Sequence, residues 1–348
     1  MKAYTTRGDG IDALELQDRP LPVAGPGEVV VRMRAASLNF RDLLVIGGAE
    51  GWKPRVPRVP FSDGVGEIVA LGEGVTRWTP GERVAGLFLP EWIDGELTEE
   101  KYVKALGGPA ADGVLAEYVT FPEPSVVAVP AHLSDEQAAT LPVAALTAWH
   151  AVARRSRVHA GDHVLIQGTG GVSIFATQFV AALDGRPIVL SSSDAKLERA
   201  RQLGAAATIN YRQSPAWERE VLELTDGRGV DHVIEVVGGE NLNRSLRAVK
   251  VSGTISFIGL IAGLAARIDT YRFVTRNVQI HGIETGSREM FEEMNAFIEA
   301  RGLEPVVHEV FAFGQVRECL RRLEGASHFG KLVVRYGVGT ELSPLAGQ

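Results

Sequence analysis

Cysteine is nearly missing: Cys319 stands alone among 348 residues. A single thiol excludes an internal disulfide and any zinc centre assembled from several thiolates. Positive charge is not in surplus either, with 36 Lys and Arg against 43 Asp and Glu and a formal net charge of -7. A concentrated basic face, which nucleic acid or an anionic membrane would require, is therefore not expected. A local pocket for one phosphate is compatible with this balance. No run of about 18 apolar residues occurs, so no transmembrane helix is expected. Residues 1–19 mix charge with glycine and lack the apolar stretch of a secretory signal, so a soluble cytoplasmic protein is the expectation. The nucleophile elbow G-x-S-x-G and the metalloprotease pattern H-E-x-x-H are absent as well.

What is present is ordinary for a globular chain, 45% hydrophobic and 23% charged, and at about 150 residues per domain the length suggests two domains. The first third reads as short strands (27–34, 65–72, 82–87) punctuated by Gly or Pro, which points to a β-rich domain. The stretch 89–113 has no clear period and reads as an excursion. Near Ser134 the pattern changes: Ser134 followed by Gln137 is a capping-box signature for a helix over 135–153. Strand-like runs then alternate with helical periods, with strands at 163–166, 187–190, 231–237, 254–258 and 278–283. An apolar helix covers 172–183 and an amphipathic one 195–203. Strand–helix–strand at this spacing demands parallel pairing, hence a doubly wound α/β sheet. Strands return at 306–311 and 331–336 around a short helix at 315–323. The expectation is a β-rich domain built from 1–126 and 303–348, with an α/β domain over 127–302 inserted in it.

The strongest chemical signal is Gly168-Thr169-Gly170-Gly171-Val172-Ser173, directly after a strand and opening a helix. A dinucleotide pyrophosphate needs backbone N–H groups at a helix N-terminus with no side chain in the way. Gly168 and Gly170 meet that need, and Ser173 replaces the usual third glycine. A dinucleotide carrying no 2′-phosphate is commonly met by an Asp or Glu about 20 residues further on. That position here reads Ser191-Ser192-Ser193, neutral and rich in hydroxyls, which accommodates a 2′-phosphate and favours NADP(H) over NAD(H). Asp194 is expected to cap the following helix. Lys196 sits in its first turn, where the helix dipole disfavours a cation and a nearby phosphate would favour one; a solvated surface lysine is the plain alternative. Cys319, among Val316, Leu320 and Leu323, reads as a packing residue.

These features occur with Ala36-Ser37-Leu38-Asn39-Phe40-Arg41-Asp42, Gly64-Val65-Gly66-Glu67-Ile68-Val69, Leu141-Pro142-Val143-Ala144-Ala145-Leu146-Thr147-Ala148-Trp149 and His328-Phe329-Gly330-Lys331-Leu332-Val333. In this order they resemble the zinc-independent branch of the medium-chain dehydrogenase/reductase superfamily, close to quinone oxidoreductases and enoyl reductase domains. The resemblance implies a GroES-like β domain formed by both chain ends, with a Rossmann domain inserted. Zinc-dependent relatives hold their metal with two cysteines and a histidine. Matching places Asn39, Ser62 and Val143 at those positions, so no metal is expected.

The resemblance further implies Thr147, Gly170, Gly171 and Val172 around the nicotinamide and pyrophosphate, and Ser192, Lys196 and Tyr211 at the 2′-phosphate. Gly238, Gly259, Leu260 and Ile261 would line the dinucleotide at later strand ends, with Gly330 and Lys331 added from the last β segment. Reduction without a metal builds negative charge on a substrate oxygen, which needs hydrogen-bond donors. Asn39 and Arg41 are the candidates, with an Arg41–Asp42 ion pair as the structural alternative for the latter. The tyrosine that donates a proton in some enoyl reductases falls near Phe40, which has no hydroxyl, so solvent would supply that proton. The implied activity is NADPH-dependent reduction of an enone, enoyl group or quinone. A metal-free alcohol or carbonyl oxidoreductase and a dinucleotide-binding protein with vestigial catalysis remain open beside it. The edge strand at 277–284 is expected to pair two copies into a homodimer, with a small molecule as the only other partner.

Overall fold

The computed structural model describes residues 1–263 and 265–337; positions 338–348 of the expected closing β-rich segment lie outside the described residues. The chain opens with β1 (Lys2–Thr5), β2 (Glu15–Asp18), β3 (Glu28–Ser37), α1 (Phe40–Ile46), β4 (Asp63–Leu71), β5 (Arg83–Gly86), α2 (Glu99–Tyr102), β6 (Tyr118–Pro122), β7 (Val126–Ala128) and α3 (Asp135–Ala138). It continues with α4 (Leu146–Trp149), β8 (His163–Gln167), α5 (Gly171–Ala182), β9 (Arg186–Ser191), α6 (Asp194–Gln202), β10 (Ala207–Asn210), α7 (Trp217–Glu223) and β11 (Val230–Glu235). Then come α8 (Asn241–Ala248), β12 (Val249–Phe257), α9 (Thr270–Thr275) and β13 (Gln279–Gly282), followed by α10 (Arg288–Arg301), β14 (Val307–Ala312), α11 (Val316–Glu324) and β15 (Lys331–Arg335).

Two compact units result: Met1–Val143 together with the chain from Ser287 onward, and Ala144–Gly286. The inserted unit is therefore shorter at both ends than the 127–302 read from periodicity. Strand β7 pairs with β5, which draws 126–128 into the β-rich unit. Helix α10 follows it, because Asn295 Nδ2 donates to Ala128 O at 2.8 Å and Arg288 N to Trp92 O at 2.9 Å. A helix satisfies its own backbone whichever unit it joins, so only such contacts reveal where it belongs.

The β-rich unit carries a sheet in the order β14-β15-β3-β4-β5-β7, with β6 also paired to β3. Alternate residues of β3, Val29, Val31 and Met33, enter the core with Ile68, Phe121, Leu332 and Val334, the period-two pattern of a half-buried strand. Cys319 is buried in the same cluster, and burial holds its thiol well above the ordinary range.

The inserted unit carries a sheet in the order β10-β9-β8-β11-β12-β13, every pairing parallel. This is the doubly wound arrangement expected from sequence. Its direction of winding reverses between β8 and β11, and the carboxyl ends of strands at such a reversal form a ligand crevice. Leu165, Ile188, Leu190, Val233 and Ile255 are buried in its core.

The helix expected over 135–153 is interrupted. Ser134 Oγ accepts from Gln137 N at 3.2 Å and Gln137 Oε1 from Ser134 N at 3.0 Å, as the capping box requires, yet α3 ends at Ala138. Wide π turns over Leu141–Ala145 and His150–Arg155 flank α4. Pro142 has no N–H to donate and its ring crowds the carbonyl four residues back, so a regular helix cannot pass through it.

Candidate functional site

In the inserted unit the glycine turn leaves β8 and enters α5. Gly168 has φ +75°, a left-handed conformation that glycine adopts freely. Gly170 is the N-cap of α5 and offers no side chain, so the first N–H groups of the helix are capped by none. A Cβ built at Gly170 would meet no atom within 4 Å; what glycine preserves there is open space over the helix end. Gly171 and Val172, in the first turn of α5, are half-buried. Ser173, at the third glycine position, is buried and its Oγ donates to Gln167 O at 2.7 Å. The hydroxyl ties helix to strand, so the substitution keeps the close approach that glycine otherwise permits.

Beyond β9, Ser192 is half-buried and Ser193, not Asp194, caps α6: Ser193 Oγ accepts from Lys196 N at 3.5 Å. Asp194 is the first helical residue, and its carboxylate accepts from Asn210 Nδ2 and Gln213 Nε2, both at 2.8 Å. It thereby pins the turn that presents Tyr211, which is 42% exposed. Burial lowers the pKa of Lys196, with Arg199 adding to the effect. Gly238 and Gly259 are buried against each other after β11 and β12. A Cβ on Gly238 would come within 2.5 Å of Gly259 O, and one on Gly259 within 1.9 Å of the Val236 carbonyl carbon. Leu260 and Ile261 beyond them are exposed, whereas Thr147 on α4 is buried.

Sequence reasoning passed over the group that organises this crevice. Glu235, fully buried at the end of β11, accepts from Val237 N (3.0 Å) and Gly238 N (3.1 Å) on Oε1. On Oε2 it accepts from Gln167 Nε2 at 2.8 Å, Asn241 Nδ2 at 3.1 Å and the Ser245 hydroxyl. One carboxylate thus joins β8, β11 and α8 across the winding reversal. The available signal was a glutamate set in the apolar run Val233-Ile234-Glu235-Val236-Val237 and followed by Gly238-Gly239, because a buried charge requires partners.

In the β-rich unit Asn39 precedes α1 and its N–H donates to Asp42 Oδ2 at 2.8 Å. Its side-chain Oδ1 accepts from Lys331 Nζ at 2.6 Å. An ammonium only donates, so this contact fixes the carbonyl end of the Asn39 amide toward Lys331 and turns Nδ2 away from it. Asn39 also stands beside Asp63 and favours its anion, yet Nδ2 makes no hydrogen bond. Lys331, expected among the cofactor residues with its neighbour Gly330, is 3% exposed and turned into its own unit: Nζ also donates to Leu38 O at 2.5 Å and lies 4.0 Å from Asp63 Oδ2. Two buried carboxylates, Asp42 and Asp63, draw the cation inward.

Burial pushes the Asp42 carboxyl up to about 6 against the pull of Arg41. Burial raises Asp63 too, with Lys331 opposing, and lowers Lys331, with both carboxylates opposing. Arg41 Nη1 donates to Leu106 O at 3.0 Å and contacts Asp42 Oδ1 at 3.3 Å. The expected ion pair therefore exists, and it leaves the Arg41 Nε unpartnered. Ser62 Oγ donates to Asp63 Oδ1 at 2.8 Å and Val143 N to Asp63 Oδ2 at 3.2 Å. Positions 39, 62 and 143 thus serve one buried polar network. Among the described residues no group of three or more His, Cys, Asp or Glu could hold a metal ion, and no helix is long and apolar enough to cross a membrane.

A parallel sheet of this winding order and an uncapped helix opening on bare glycines define a dinucleotide-binding unit, here inserted in a β-rich unit formed from both ends of the chain. The family described as alcohol dehydrogenase GroES-like domain matches residues 25–131, and the family described as zinc-binding dehydrogenase matches 171–300. A zinc-type alcohol dehydrogenase-like protein of Schizosaccharomyces pombe is 40% identical over 333 residues, spanning 94% of this chain and 96% of the relative. The solved structure of an NAD-dependent alcohol dehydrogenase superposes with a TM-score of 0.86 at 33% identity, covering 97% of this chain and all of the other. A mycobacterial protein solved with NADPH superposes with a TM-score of 0.80 at 26% identity, covering 96% and 100% of the two chains. The chain belongs to the medium-chain dehydrogenase/reductase superfamily.

Proposed function

We propose that this oxidoreductase is zinc-independent and uses NADPH to reduce an activated carbon–carbon double bond, in an enone or enoyl group, or a quinone. The observation that carries the reading is the donor set at positions 39, 62 and 143: Asn39, Ser62 and Val143 offer no thiolate or imidazole and are engaged with Lys331 and Asp63 instead. NADP(H) over NAD(H) is supported by the serines after β9, by Lys196 and by exposed Tyr211.

The residues present fit the cofactor, since the N-terminus of α5 is uncapped and open above Gly170. Gly170, Gly171 and Val172 would hold the pyrophosphate with backbone N–H groups, and Ser192, Lys196 and Tyr211 would hold the 2′-phosphate. Gly238, Gly259, Leu260 and Ile261 would line the dinucleotide, and Thr147 would support the nicotinamide. When bound, the dinucleotide supplies the hydride. The donors Asn39 Nδ2 and Arg41 would stabilise negative charge on a substrate oxygen. Lys331 Nζ donates to Asn39 Oδ1, which would leave Nδ2 to donate, and Gly330 beside it has φ +78°, a conformation that glycine adopts freely. No side chain at position 40 can give up a proton, so water would protonate the substrate carbon.

The test is stoichiometric NADPH oxidation across a panel of enones, quinones and ketones, before and after treatment with a chelator. Turnover with an enone or quinone that survives the chelator supports the reading. Tight NADPH binding without turnover across the panel refutes it in favour of a binding protein. A metal-free alcohol or carbonyl oxidoreductase is the second reading, favoured by the 33% identical alcohol dehydrogenase structure; ketone reduction with no enone or quinone turnover would select it. We also propose a homodimer through β13, which ends the order of its sheet. Sedimentation showing only monomer at micromolar concentration would refute that pairing.

A further inference from the structure

We propose that Asn210 and Gln213 select the cofactor: they hold the Asp194 carboxylate away from the ribose of a bound dinucleotide, so that a bare ribose diol gains no partner there and a 2′-phosphate is tolerated. Asp194 is the first carboxylate after β9, directly beyond Ser191-Ser192-Ser193. An acid in this region of a doubly wound sheet ordinarily accepts from the ribose hydroxyl of NAD, and its charge repels a 2′-phosphate. In this chain both of its oxygens are engaged elsewhere. Oδ1 accepts from Asn210 Nδ2 and Oδ2 from Gln213 Nε2, each at 2.8 Å.

The turn after β10 leaves these amides little freedom. Gln213 N and Ser214 N both donate to Asn210 O, at 3.0 and 2.8 Å, and Tyr211 N donates to Ser191 O at 3.0 Å, which fastens the turn to the end of β9. Asn210 Oδ1 accepts from Arg212 N at 3.0 Å, so the Asn210 amide presents its NH2 to Asp194 and cannot flip without losing both bonds. The direction of the pull follows from the strand order. The dinucleotide crevice lies at the reversal between β8 and β11, β9 flanks β8, and β10 stands beyond β9 at the end of the sheet. Amides at the end of β10 and in the turn after it therefore draw the carboxylate toward the sheet edge, away from the crevice. Asp194 and Gln213 are exposed. A carboxylate in water needs no protein partner, and one left free at this position would be available to a ribose diol. Being neutral, the amides redirect its charge without cancelling it. Their role in selection rests on the NADPH reading above.

The test measures dissociation constants of NADPH and NADH for the full chain from the fluorescence of the reduced nicotinamide, which requires no substrate. The proteins compared are the native chain, Asn210→Ala combined with Gln213→Ala, Asp194→Ala alone, and all three changes together. The double variant is expected to bind NADH about tenfold more tightly than the native chain, the usual worth of a hydrogen bond to a charged group, and to bind NADPH more weakly. In the triple variant the gain for NADH should disappear. A mere loosening of the turn would weaken NADPH as much in Asp194→Ala and strengthen NADH in neither. Gln213→Ala alone leaves the Asn210 bonds in place and should move both constants in the same directions by a smaller factor; it carries the test if the double variant does not fold. No gain in NADH affinity on releasing the carboxylate, or an equal gain in the triple variant, overturns the proposal. Native protein that binds NADH as tightly as NADPH refutes the NADPH reading, while a gain for NADH that depends on Asp194 still sustains the clamp. A preference for NADPH that the double variant leaves unchanged removes the clamp and leaves that reading.

Discussion

Replacing Glu235 by Gln tests whether one buried carboxylate holds the nucleotide crevice together. In the native chain its two oxygens receive five donors: Val237 N, Gly238 N, Gln167 Nε2, Asn241 Nδ2 and Ser245 Oγ. Glutamine keeps the shape but turns one oxygen into a donor and removes the charge from the other. If the new NH2 faces Val237 and Gly238, two backbone N–H groups lose their acceptor and cannot reorient. If it faces Gln167 and Ser245, the hydroxyl can rotate, but Gln167 must flip and then loses its bond from Asn241, now 3.0 Å to Oε1. The second arrangement is cheaper and still leaves one buried donor unmatched. With about 1–3 kcal/mol for such a group and weaker bonds throughout, the cost is about 3 kcal/mol. For a unit of this size about 1 kcal/mol moves Tm by roughly 2–6 °C, so a fall of about 10 °C is expected in a thermal melt. The backbone of Gly238 should loosen with it, weakening NADPH binding by about tenfold. Glu223→Gln, on the exposed surface of α7, is the control. A Glu235→Gln melt within 2 °C of the native protein would refute the reasoning.

Asp42, held near 6 by burial, gives a pH signature. Its folded pKa lies above the unfolded value, so its contribution to stability is complete below about pH 4 and is lost as pH rises through 6. Relative to Asp42→Asn, the native protein should therefore lose on the order of 3 kcal/mol between pH 4 and 7, read from urea melts at each pH; parallel curves for the two proteins would contradict it. Gly259→Ala forces a methyl to within 1.9 Å of the Val236 carbonyl carbon and should lower Tm by several degrees or prevent folding, whereas Gly314→Ala, with no atom within 4 Å, should be silent. Equal melts for the two alanine variants would refute that contrast. Lys196→Ala should raise the KM for NADPH about tenfold and leave that for NADH within about twofold, since only the former carries the 2′-phosphate. Equal losses for both would remove Lys196 from phosphate binding.

The alternation of strand and helix was legible because periodicity is a local property of the chain. So was the glycine turn, since bare glycines between a strand and a helix leave their mark in a hexamer. Local signals failed where two neighbouring residues could do the same work. Ser193 and Asp194 both suit a cap, and the choice fell to Ser193 because Asn210 and Gln213 take the Asp194 carboxylate. Pro142 was visible in the sequence, but only packing showed that the chain continues through it in widened turns.

By itself, then, the order of residues determined the class of fold, the inserted sheet and the bare main chain at the head of α5, because backbone sterics and hydrophobic period act over a few residues. The tertiary structure alone decided the fate of the charges. Lys331 meets Asn39 across 292 positions and Glu235 meets Gln167 across 68, and nothing local distinguishes a lysine that faces a phosphate from one that orients an amide. The physical reason is that a buried charge is defined by its partners and its removal from water, and both exist only once distant segments have packed.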